Sequence, residues 1–108
     1  MLTLPIKKKW FDMILSGEKK EEYREIKPYY NSRLGVRLII QELINGSNAK
    51  FISNIMFRNG YGKDRPTILC ECEISKGYGK PDLGAEPDKK YYVLKILSVK
   101  EVKNEQNS

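Results

Sequence analysis

Residues 67–75, TILCECEIS, alternate without a break: Ile68, Cys70, Cys72 and Ile74 fall on one face, Glu71 and Glu73 on the other. A period of two is the signature of a strand whose neighbouring side chains point to opposite faces of a sheet. One face then belongs in a core and the other in water, which commits the chain to a β-sheet. At 108 residues, the chain has room for a single domain with one modest core.

Cys70 and Cys72 are the two cysteines of the chain. Two apart on one strand, they are too close for an unstrained bridge and read as free thiols packed in the sheet. The chain has no histidine, which excludes His-based triads, His-ligated zinc and imidazole as a general base. No cofactor and no metal is expected. No apolar run approaches the ~20 residues of a membrane span. The start, MLTLPIKKKWF, places its charges after the apolar stretch, unlike a signal peptide. A cytoplasmic protein without a membrane partner is expected. Twenty basic and 14 acidic residues give a net charge of +6. That excess suits an anionic partner, nucleic acid being the commonest, and equally suits a charge that keeps a small domain soluble.

Residues 2–6 predict a short strand, with Pro5 favouring an edge. Residues 8–16 predict a helix with Trp10, Phe11, Ile14 and Leu15 on one face, ended by Gly17 in a left-handed conformation. KKEEYREI, residues 19–26, reads as a strand charged on both sides, suited to the surface or to a polar cleft. Pro28 opens a helix over 29–44, broken at Gly35. Strands follow at 50–57, 67–75 and 91–99, separated by loops at 58–66 and 76–90. The order β-α-β-α-β-β-β fits a small α+β barrel with two attached helices, a single domain over 1–102. Residues 103–108 read as a frayed tail.

The densest chemistry is GEKKEEYR, residues 17–24. Glu22 and Arg24, two apart, share one face of a strand, and Lys19 sits at the preceding turn. Such a cluster can grip an anion and place a carboxylate beside it. A solvated strand of alternating charge is the plainer alternative. Arg24 is the fork-shaped donor suited to a phosphate or a base carbonyl. Lys19, if desolvated, could serve as base or nucleophile, with Glu22 as its acid–base partner or as a clamp. Glu86, on a loop beside Pro87, is a second carboxylate able to reach the same cleft. Tyr61 and Tyr78 lie on Gly-rich loops beside Lys63, Arg65, Lys76 and Lys80, the aromatic and basic interleaving that single-stranded nucleic acid favours. These loops are expected to border one cleft mouth. Trp10, Tyr23, Tyr29 and Tyr30 are further aromatic candidates for stacking, with Trp10 expected in the core.

Gly17, Lys19, Glu22 and Arg24 in the spacing GxKxxExR resemble the signature of the ASCH domain family. LPIKKKWFDMILSGEKKEEYREIKPYY resembles its opening strand, helix and motif strand, and FRNGY (57–61) and GAEP (84–87) ahead of YYVLKI (91–96) look like its later loops. The resemblance spans roughly residues 2–99. It implies a small PUA-like β-barrel with attached helices and a cleft holding the motif residues. It further implies single-stranded RNA, a nucleotide or a nucleoside as partner, with Lys19, Glu22, Arg24, Arg58, Tyr61, Lys63 and Glu86 as candidate ligand-binding residues. A bacterial branch of the family hydrolyses the acyl amide of an acetylated cytidine. It uses the lysine, a threonine where this chain has Glu22, and a glutamate from an insertion this chain lacks. The alternative function is therefore an amidohydrolase or ribonuclease using Lys19 and Glu22, and a third is a docking adaptor.

Overall fold

The computed structural model describes residues 1–102; the tail expected at 103–108 lies outside them. Five strands form one sheet in the order β1-β3-β4-β5-β2. They are β1 (Leu2–Ile6), β2 (Glu21–Glu25), β3 (Phe51–Asn59), β4 (Thr67–Tyr78) and β5 (Lys90–Val102). α1 (Lys8–Ser16) links the two edge strands. A second helical segment runs through α2 (Pro28–Tyr30), a π-turn (Asn31–Gly35) and α3 (Val36–Asn45). β1 pairs parallel with β3, and the other three pairings are antiparallel. The parallel pair needs a long crossover, supplied by everything between Ile6 and Phe51.

The two edges are staggered. β1 lies beside residues 55–59 of β3, at the Thr67 end of β4, whereas β2 pairs with residues 91–95 of β5, opposite the far end of β4. The sheet nevertheless curls until the edges meet, because Arg24 Nη2 of β2 donates to the Pro5 carbonyl of β1 at 2.9 Å. The result is a half-barrel whose seam is bridged by a side chain instead of a backbone ladder. Pro5 suits this edge, where no ladder bond is lost to its missing N–H.

The main core gathers Leu4 and Ile6 of β1, Phe11 and Ile14 of α1, Leu34, Leu38 of α3, and the inner faces of β3, β4 and β5. Ile68, Cys70, Cys72 and Ile74 are all fully buried, as their alternation requires, and both thiols are free. A second cluster on the outer side joins Tyr23, Leu83, Ala85, Tyr91 and Val93. It pins the loop after β4, helped by two tyrosine hydroxyls that accept backbone N–H groups: Tyr23 from Lys80 at 3.0 Å and Tyr91 from Glu86 at 2.9 Å.

α1 ends as its sequence predicts, with Gly17 at φ +86°. The segment after Pro28 does not break at Gly35 but widens there into the π-turn. Tyr92, buried on β5, explains the difference. Its hydroxyl donates to Asn31 Oδ1 at 2.6 Å, and a Cβ on Gly35 would fall on that same hydroxyl. Gly35→Ala removes a poor helix former, a gain of about 1 kcal/mol on propensity alone. The clash with an immobile ring is expected to reverse the sign and destabilise by about 1–3 kcal/mol in urea unfolding. Tyr92→Phe in that background should recover part of the loss; an alanine variant as stable as wild type would contradict this packing.

β4 and β5 run longer than their apolar alternation. Exposed Val99, Lys100, Glu101 and Val102 still pair with Cys70 through Thr67, and a bulge sets Leu97 out of register. Ladder hydrogen bonds carry β5 past its own last buried side chain.

Candidate functional site

β1 and β2 each hand over to a helix at the seam, and a cavity of about 380 Å³ opens there. Pro5, Ile6 and Lys7 line it from the β1–α1 junction, Trp10 from α1, residues 22–25 from β2 and Lys27 and Tyr30 from the start of α2. Tyr61 reaches it from the loop after β3. An adjoining hollow of about 470 Å³ shares Pro5, Lys27, Tyr30 and Tyr61 and adds Tyr29.

Glu22 and Arg24 form the buried floor. Arg24 Nη2 donates to Glu22 Oε2 at 2.7 Å and Nη1 to the Tyr30 hydroxyl at 3.0 Å. With the Pro5 carbonyl also bound, three partners hold the guanidinium, a fork kept in one orientation. Arg24 Nε is buried without a hydrogen-bond partner among the described residues. Lys7, Lys27 and Tyr61 are exposed at the rim.

Lys19 joins the cluster from behind. Its ammonium lies 3.3 Å from Glu22 Oε1, donates to the Leu83 carbonyl, and sits 4.5 Å from the centre of the Trp10 ring and 5.1 Å from that of Tyr23. Lys19 is 1% exposed and does not line the cavity. Burial lowers its pKa from the ordinary lysine value, and Glu22 opposes that shift. The lysine is thus a brace: it holds one carboxylate oxygen of Glu22 while Arg24 holds the other. A ligand in the cavity meets Glu22 and Arg24 and is screened from the lysine by the side chains packed over it.

The three motif side chains therefore converge. The other candidates divide. Tyr61 lines the cavity, 89% exposed. Arg58 lies on β3, with Nε 3.5 Å from Thr67 Oγ1, and is not part of the lining. Lys63 is exposed on the loop after β3 and lines none of these hollows. Glu86 is exposed, 3.4 Å from Lys89, and its carboxylate is likewise outside the lining. The shared loop mouth does not form. β4 spans twelve residues, Thr67–Tyr78, about 36 Å at ~3.3 Å per residue, so the two loops leave from opposite ends. Tyr78, Lys80 and Arg65 are absent from the cavity.

Trp10, expected in the core, both packs against it and lines the cavity. Tyr30 is one of the aromatic side chains the sequence offers for stacking, but Lys7 and Lys27 are not among the expected binding residues. Their signal is positional: each stands at a strand-to-helix junction, and the seam brings the two junctions together. No family model, curated protein or solved structure matches the chain.

Proposed function

We propose that the chain is an ASCH-type domain of PUA-like fold that binds single-stranded RNA or a nucleotide in the seam cavity, in the cytoplasm. The observation that carries this reading is the composition of the cavity: a buried, oriented Arg24–Glu22 pair between aromatic side chains, with Lys7 and Lys27 at its rim. A base edge presents both donors and acceptors, which a guanidinium and a carboxylate side by side can match. Trp10, Tyr30 and Tyr61 offer ring surface for stacking, and the lysines meet phosphate. The volume lies within the ~300–1,000 Å³ of ordinary ligand sites.

A thermal-shift screen over nucleosides, nucleotides and short single-stranded RNAs tests the reading, since any ligand of the folded state raises its stability. Stabilisation by at least one of these classes is expected, and it should vanish in Arg24→Ala. Affinity should fall with salt at a slope near −0.7 per phosphate contacted, and Lys27→Ala should flatten that slope by about one contact. No stabilisation by any class would remove the binding function.

The Lys19–Glu22 contact favours one further reading, hydrolysis of an acyl-nucleoside or a phosphodiester. In it Glu22, which lines the cavity, is the base, and Lys19 holds and tunes it. Turnover of an N-acylated nucleoside that disappears in Glu22→Gln would establish it.

A further inference from the structure

Val36, Ile39, Ile40, Leu43 and Ile44 recur at the spacing of one helix face. In a lone amphipathic helix that face would be the buried one. Here the opposite face of α3 holds the core contact, through buried Leu38, and the five side chains are 52, 51, 48, 82 and 70% exposed. Ile52 of β3, 55% exposed, lies near the same helix beside Arg37 and Gln41. α3 is therefore apolar on both sides, and among the described residues only one side has a partner. The bare surface of these six side chains sums to roughly 600 Å², the top of the range that monomers leave in one patch.

We infer that this face pairs with a second copy of the chain, α3 against α3 in antiparallel. The segment Ile39-Ile40-x-x-Leu43-Ile44 reads alike in both directions. An antiparallel copy sets Ile39 against the partner's Ile44 and Ile40 against the partner's Leu43, so every apolar knob meets another. That self-complementarity is what a two-fold interface requires. Complete burial of these side chains in two copies would remove on the order of 1,200 Å², where stable interfaces begin. The flanks carry both signs. Arg37 lies to one side, its guanidinium held 4.2 Å above the Phe51 ring, and Glu42 lies to the other. A mixed polar rim suits a protein interface, whereas a helix lying on an anionic membrane carries an unopposed basic face. This inference does not depend on the seam cavity or on what it binds.

Sedimentation of the full chain from ~1 to ~100 μM tests it, a range that covers a dimer of micromolar affinity. The expected mass is twice 12.6 kDa at the upper end. Ile40→Glu and Leu43→Glu, both on exposed positions, should each weaken association at least about 100-fold with an unchanged circular dichroism spectrum. A wild type that stays at monomer mass overturns the inference, as does a dimer that survives Leu43→Glu. A monomer that pellets with phosphatidylserine vesicles overturns it too and assigns the face to a membrane surface.

Discussion

Glu22→Ala is expected to cost about 3–5 kcal/mol, because it strips the shared anion from two buried cations. Lys19 and Glu22 have side chains only 1% and 9% exposed, and Arg24 closes the other side of the carboxylate. Without Glu22, an ammonium and a guanidinium face each other in a poorly solvated site. For a domain of this size the loss corresponds to a melting temperature lower by at least roughly 12 °C. Lys19→Met should behave differently. It removes the buried charge, keeps the length of the side chain, and leaves Glu22 paired with Arg24. Its cost is expected near 1 kcal/mol, from the unpaired Leu83 carbonyl and imperfect packing. Thermal or urea unfolding of the two variants measures the asymmetry. Equal losses would mean that Lys19 is more than a brace for Glu22.

Alkaline pH is expected to unfold the protein through its two core thiols. Burial pushes Cys70 up to about 11 and Cys72 up to about 12, from an ordinary 9.0. Between pH 9 and 11 the unfolded chain therefore releases thiol protons that the folded chain keeps. The folded state binds more protons, so stability falls as pH rises. By pH 11 the loss is on the order of 2–3 kcal/mol per thiol. Tyr23, raised by burial to about 12, adds to the fall above pH 10. Lys19 works in the other direction. Its pKa is lowered, so the folded state gains stability as pH climbs through that value toward 10.5. One lysine does not offset two thiols and a tyrosine. The measurement is the denaturation midpoint against pH for wild type and for Cys70→Ala/Cys72→Ala. The variant should be less stable at pH 7 and lose less between pH 9 and 11. Parallel curves would contradict the assignment.

These two results bear on how much the sequence discloses. The buried thiols are legible in it, because alternation over ILCECEI settles which side of β4 faces the core. Gly17 as a helix end and Pro5 as an edge residue are local matters and are equally visible. The convergence of Lys19, Glu22 and Arg24 is half visible: strand spacing puts the last two together, and the turn supplies the first. The depth of Lys19 is not, since its lid comes from Leu83, 64 residues away, closing over it together with Trp10. The π-turn is hidden for the same reason, being shaped by Tyr92, 61 residues from Asn31. Lys7 and Lys27 look like ordinary surface lysines until the sheet curls and its two edges meet. The ends of β4 and β5 are set by backbone pairing with buried neighbours while their own side chains stay exposed, so no apolar pattern marks them.

Trp10 is the single tryptophan of the chain and lines the seam cavity. Its emission therefore reports the one place where a base is expected to stack. Titration of wild type with nucleotides and short single-stranded RNA at low salt should give saturable quenching, weaker as salt rises. The quenching should be lost in Arg24→Ala while Trp10 stays in place. Emission that does not respond to any of these ligands, or that responds equally in Arg24→Ala, would contradict a nucleotide site built on Glu22 and Arg24.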